Sequence, residues 1–179
     1  TSTLPLAVTL ESASIVALNA DTGKMVWHFR ASPHDTHDWD ATQTAVIFDA
    51  PIDGKPRKLI AQAARNGHFF VLDRTNGKAI VSTEFVKTNW SLGYDAKGQP
   101  IPSPEKMPQV PGVLVSPSQG VGTNWQSPSF SPQTGLFYLN ATRGNLYGIE
   151  KSPQQVGPWA FSPRTEFEGL YLCGASTLS

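Results

Sequence analysis

The densest group of reactive side chains in this 179-residue chain is Pro33-His34-Asp35-Thr36-His37-Asp38-Trp39-Asp40. Three carboxylates and two imidazoles fall within seven residues, a set too costly to bury unpaired. A cation, a positive partner or solvent must balance them. In an extended segment alternate residues share a face. Asp38 and Asp40 would then project to one side and offer two oxygen ligands to one hard cation. The competing reading is a solvated loop in which Asp serves turns and caps. A zinc site on His34 and His37 lacks a third and fourth ligand at a convincing spacing.

Two further segments carry chemistry. In Ala63-Ala64-Arg65-Asn66-Gly67-His68, Arg65 precedes an Asn-Gly turn and offers a planar fork to carbonyl or carboxylate oxygens of a ligand. It serves equally as a surface partner for a nearby Asp. In Gly122-Thr123-Asn124-Trp125, Asn124 brings a donor and an acceptor and Trp125 a large flat apolar face. Taken alone, that pair also fits a structural Trp at a loop end.

The elements that must position these residues are short strands. Ser14 to Leu18, an Asp21-Thr22-Gly23-Lys24 turn and Met25-Val26-Trp27 make one hairpin. Phe69 to Leu72, a Thr75-Asn76-Gly77-Lys78 turn and Ala79-Ile80-Val81 make another. Gln133-Thr134-Gly135 before Leu136 to Leu139 is a partial, differently phased third. Glycine accepts the positive φ of such turns, and the β-branched and aromatic flanks suit a pleated, half-buried surface. A recurrence of about 50 residues built from hairpins predicts four-stranded propeller blades, although any all-β sandwich also contains hairpins. Residues 89–126 are rich in Pro, Gly and Ser. Pro removes ladder donors, so the stretch is expected to be an ordered loop excursion across one end of the sheets.

Composition limits the alternatives. Charged residues make up 16% of the chain, the formal net charge is +0, and Gly and Pro number 15 each. Nothing favours a polyanionic partner. No window reaches the ~18 consecutive apolar residues of a membrane span. The opening TSTLPLAVTL has no basic region and does not read as a signal peptide. The single cysteine, Cys173, has no internal disulfide partner. At about 50 residues per blade the chain holds roughly three blades, too few to close a ring. The expectation is an all-β partial propeller: residues 1–179 as one fragment of a larger domain.

Together these segments resemble the PQQ-dependent (quinoprotein) alcohol dehydrogenases. Ala17-Leu18-Asn19-Ala20-Asp21-Thr22-Gly23-Lys24 with Trp27 resembles the tryptophan-docking motif that pins blades of that family's eight-bladed propeller; the family has Asp where this chain has Asn19. The likeness covers about residues 14–142. It implies an enzyme that oxidises an alcohol by hydride transfer to metal-bound PQQ. Asp38 matches the catalytic aspartate, the general base, and with Asp40 the metal site. The position of Asp40 is typically Ala in calcium-dependent members and Asp in lanthanide-dependent ones, so the resemblance allows Ca2+ and favours a lanthanide ion. Arg65 matches the arginine that binds the quinone oxygens, and Asn124 and Trp125 match residues lining the PQQ pocket. His37 stands where many members carry Trp. The resemblance further implies a small alcohol substrate, a cytochrome c-type electron acceptor and a periplasmic location. The family's metal-binding Glu and Asn, the Trp beneath PQQ and the vicinal disulfide lie upstream of the matching region and have no counterpart here, so this chain alone is expected to be inactive. The alternative is a non-catalytic PQQ-like-repeat propeller that scaffolds protein assembly, for which the Asp38, Arg65 and Asn124 segments are not needed.

Overall fold

The computed structural model describes residues 13–118 and 122–139. The opening TSTLPLAVTL, residues 140–142 of the family-like stretch and Cys173 lie outside them. The first hairpin pairs β1 (Ser14–Leu18) with β2 (Met25–Arg30). Then come β3 (Val46–Ile52), β4 (Lys55–Ala63), β5 (His68–Asp73) and β6 (Ala79–Glu84), an antiparallel four-stranded sheet in sequence order. Two short hairpins follow: β7 (Ser91–Tyr94) with β8 (Pro100–Pro102), and β9 (Ser129–Ser131) with β10 (Leu136–Tyr138). A 3-10 turn spans Pro104–Lys106. No helix among the described residues is long and apolar enough to cross a membrane.

The three glycine turns share one backbone device. Gly23, Gly77 and Gly135 each donate their N–H to the carbonyl four residues earlier, on Asn19, Asp73 and Ser131, at 2.8 Å in every case. In the first turn Asn19 Oδ1 accepts from the N–H groups of Asp21 and Thr22 and from Thr22 Oγ1, at 3.0, 2.8 and 2.9 Å. In the second, Asp73 Oδ1 accepts from Thr75 N–H and Oγ1. Amide and carboxylate oxygens are equivalent acceptors in this motif. Asn19 in place of the usual Asp therefore leaves the turn intact. The β3–β4 connection, Asp53-Gly54, has positive φ at both residues (51° and 72°), as a type I′ hairpin requires.

The four-stranded sheet buries both faces, which is why β5 reads HFFVLD without alternation. On one face Phe70 and Leu72 join Phe29, Ala31, Ala41 and Ala64, with Ile15 and Trp27 of the first hairpin packed against them. On the other, Leu59, Ala61 and Val71 are covered by Phe48, Phe69 and Phe137. Edge-on rings lock each contact: Phe29 to Phe70 at 5.1 Å and Phe69 to Phe137 at 5.0 Å. Sheets stacked face to face through sequence-adjacent hairpins give a partial β-propeller. One sheet has all four strands among the described residues; β1–β2 and β9–β10 have two each. Within residues 89–126 the chain forms the short β7–β8 pair, with Pro at both ends of β8.

Candidate active site

The acidic loop leaves β2 at Arg30 and has no strand until Val46. It is not extended. His34, Asp38 and Asp40 have φ of 52°, 62° and 45°, so the alternating-face argument for Asp38 and Asp40 is replaced by a coiled loop. The cause is Asp35. One of its carboxylate oxygens accepts the N–H of His37 at 2.9 Å, and the other accepts those of Trp39 and Asp40 at 3.0 and 3.2 Å. Three amides converging on one carboxylate curl the chain around it. Asp35 therefore faces inward and organises the loop, while Asp38 and Asp40 are exposed.

An aromatic column supports the loop. His37 stacks on Trp39 at 4.2 Å and donates Nε2–H to the Lys106 carbonyl at 2.7 Å. Trp39, 2% exposed, lies 4.6 Å from Trp90, which meets His68 edge-on at 5.1 Å. Trp90 Nε1–H donates to the Asn66 carbonyl at 2.8 Å. Asn66, fully buried, donates Nδ2–H to the Ala31 carbonyl and Ser32 Oγ, both at 2.7 Å, and accepts the His68 N–H. The Asn of the ARNG turn thus joins the loop to β5, and Arg65 is held on the same framework. His68 bonds Tyr94 Oη and Ser91 Oγ through its two ring nitrogens. Burial lowers its pKa to about 4 and raises that of Tyr94 to about 12.

The structure brings three of the sequence-derived residues together. Arg65 Nη2 donates to Asn124 Oδ1 at 2.9 Å across 59 residues of sequence, and Arg65 Nη1 lies 3.9 Å from Asp40 Oδ2. Gly122 makes the approach of the Asn124 segment feasible. A Cβ there would sit 2.7 Å from the Arg65 carbonyl oxygen, and its φ is 98°. Arg65 Nε is buried and has no hydrogen-bond partner among the described residues. Asp38 lines a neighbouring cleft of about 530 Å³ together with His37, Trp39, Val110, Pro111, Val113 and Val115. Trp125 is 70% exposed. No group of three or more His, Cys, Asp or Glu side chains placed to hold a metal exists among the described residues.

Gln43 escaped the sequence reading. It is 4% exposed, accepts the Arg65 N–H at Oε1 and donates Nε2–H to the Asp40 carbonyl. The only signal was its place three residues after Asp40, which by itself marks nothing.

Stacked antiparallel sheets, with the Trp27 indole N–H donating to the Arg74 carbonyl on the next sheet's turn at 3.0 Å, define a partial β-propeller, and on it Arg65 lies between Asn124 and the acidic loop. The chain belongs to the PQQ family described as glucose/ethanol/alcohol dehydrogenase, beta-propeller domain, which matches residues 8–111. It is 49% identical over 134 residues to the 1-butanol dehydrogenase (cytochrome c) of Thauera butanivorans, covering 74% of this chain and 19% of that protein. The solved quinohemoprotein alcohol dehydrogenase ADHIIG of Pseudomonas putida HK5 superposes with a TM-score of 0.66 at 43% identity, over 71% of this chain and 19% of that one. A europium-containing methanol dehydrogenase superposes with a TM-score of 0.65 at 32% identity, over 76% of this chain and 27% of that one. The chain thus spans about a fifth of the length of the curated relatives it matches.

Proposed function

We propose that this chain forms the Asp38–Arg65–Asn124 sector of a PQQ-dependent alcohol dehydrogenase. The observation that carries the reading is the state of Arg65. Its guanidinium is held between Asn124 and Asp40, yet its Nε–H is buried without an acceptor. A buried donor left unmade costs about 1–3 kcal/mol, and a planar, oxygen-bearing ligand would remove that cost. The quinone oxygens of PQQ fit that donor set, with Asn124 beside them.

PQQ, when bound, supplies the two-electron acceptor for the alcohol's hydride. This chain's residues do the rest. Asp38 takes the hydroxyl proton onto a carboxylate oxygen as general base. Arg65 fixes the cofactor's oxygens through its fork and stabilises negative charge there. The cleft beside Asp38 is lined largely by valine and proline and by no Lys or Arg, so it suits the apolar tail of a neutral alcohol. Asp38 and Asp40 offer hard oxygen ligands to Ca2+ or a lanthanide ion, and further donors must come from outside the described residues. The second carboxylate, Asp40, and the europium-containing relative favour the lanthanide. The name of the Thauera relative supports a cytochrome c-type electron acceptor. A periplasmic location accords with this family assignment.

The test is steady-state oxidation of 1-butanol by the complete protein loaded with PQQ and either Ca2+ or La3+. Asp38→Asn should lower kcat by about 10²–10⁴-fold, the usual worth of a general base, while PQQ absorbance stays bound to the protein. Asp40→Ala should move the preference from La3+ toward Ca2+. Full turnover by Asp38→Asn would refute the assignment.

A further inference from the structure

We propose that Gln43 is a positioning residue: its carboxamide sets the placement of the Asp38–Asp40 loop against the Arg65 turn. The side chain is buried at the junction of the two. Oε1 accepts the Arg65 N–H at 2.9 Å, and Nε2–H donates to the Asp40 carbonyl at 2.8 Å. The two partners lie on separate loops, so the amide acts as a strut of fixed length between their backbones. Only a group with one donor and one acceptor at that spacing satisfies both. A carboxylate would keep the first bond and face the Asp40 carbonyl with a second acceptor. An apolar isostere would lose both.

The strut is itself anchored. Gln62, buried on β4, donates Nε2–H to the Gln43 carbonyl at 2.8 Å and to the Ala41 carbonyl at 3.1 Å. Position is thus passed from the four-stranded sheet through Gln62 to Gln43, and from Gln43 to both loops. Asp35 curls the acidic loop internally, accepting from the N–H groups of His37, Trp39 and Asp40 of that same loop. The 3.9 Å separation of Asp40 and Arg65 side chains is a surface ion pair, with Asp40 59% exposed, and such pairs hold geometry weakly. The buried amide is the stiffer link. Its catalytic meaning rests on the function proposed above; the structural coupling does not.

Two readouts separate these. In the 179-residue chain, NMR amide exchange at Arg65 should quicken about tenfold or more in Gln43→Leu, the equivalent of one lost hydrogen bond, while Val71 in the core of β5 keeps its protection. Gln43→Glu should retain Arg65 protection. In the complete PQQ-loaded protein both variants should lower kcat at least about tenfold with the alcohol KM within about twofold, because a misplaced base or arginine slows the chemical step more than it weakens alcohol binding. Unchanged Arg65 exchange in Gln43→Leu overturns the strut. Faster exchange with unchanged kcat in both variants overturns the positioning role. A wild-type protein that oxidises no alcohol sinks the functional assignment instead, and the exchange measurement still decides the strut.

Discussion

His68 illustrates how a polar residue survives full burial beneath the site. A neutral imidazole has one N–H and one lone pair, and Tyr94 and Ser91 meet the two nitrogens at 2.6 and 3.2 Å. Protonation would place a charge among Phe70, Trp90 and Tyr94, with Glu84 across the β5–β6 pair the acidic group that partly offsets it. Desolvation wins, and the pKa falls from 6.5 to about 4. The sign follows directly. Below pH 6.5 the unfolded chain takes up a proton that the folded chain refuses, so stability drops as pH falls toward 4. A shift of this size corresponds to about 3 kcal/mol across that window. Melting temperatures from pH 7 to 4 should decline in the wild type and decline less in His68→Gln, which keeps a donor and an acceptor but cannot titrate. Equal slopes would show that His68 is not the group responsible.

At the scale of elements, the junction between the first two sheets adds to the Phe29–Phe70 packing one ring set on one turn. Trp27 of β2 donates Nε1–H to the Arg74 carbonyl at 3.0 Å, and its indole lies flat enough on Gly77 that an added Cβ would come within 2.7 Å of ring carbons. Gly77 also has φ of 74°, where an L side chain is strained. Gly77→Ala therefore combines backbone strain with a steric clash and should destabilise the fold by about 2–4 kcal/mol. Trp27→Phe removes only the hydrogen bond and some area and should cost about 1–2 kcal/mol. Urea unfolding would rank them; a Gly77→Ala protein as stable as wild type would mean that the ring is free to move. This junction was legible through the resemblance of residues 17–27 to a tryptophan-docking motif, because Trp27 and the turn it meets lie 47 residues apart and no local pattern joins them. The β3–β4 hairpin carries a strong Asp53-Gly54 turn signal but neither a Thr-Gly nor an Asn-Gly turn, so it falls outside the recurrence that marks the other hairpins. The site was legible as residue types and only partly as geometry. Arg65, Asn124 and Asp40 converge, but the expected extended run at Asp38–Asp40 gave way to the curl around Asp35. Local alternation cannot reveal that one carboxylate of a cluster has turned inward to collect three amides. Gln43 was invisible for a related reason: its partners lie 3 and 22 residues away, on loops whose proximity only the folded chain defines.

At the scale of the whole molecule, the function proposed above gives the described residues one side of a cofactor site. They offer an arginine fork, an asparagine and two carboxylates, with no cluster of three metal-binding side chains among them. The chain also spans about a fifth of its relatives' length. Val16, Leu18, Met25 and Val26 of the first hairpin are each 40% exposed or more, the kind of surface that a further sheet would cover in a closed ring. A rigid quinone held on one side gains only the Arg65 and Asn124 contacts, while the cost of ordering it, several kcal/mol, stays nearly the same. The 179-residue chain by itself should therefore fail to bind PQQ at micromolar concentration. Titration of the purified chain with PQQ, with and without La3+, should give tryptophan quenching that does not saturate at one equivalent. Stoichiometric saturation would mean that the Asp38–Arg65–Asn124 sector holds the cofactor without the rest of the ring, and that the sector, rather than the closed propeller, is the binding unit.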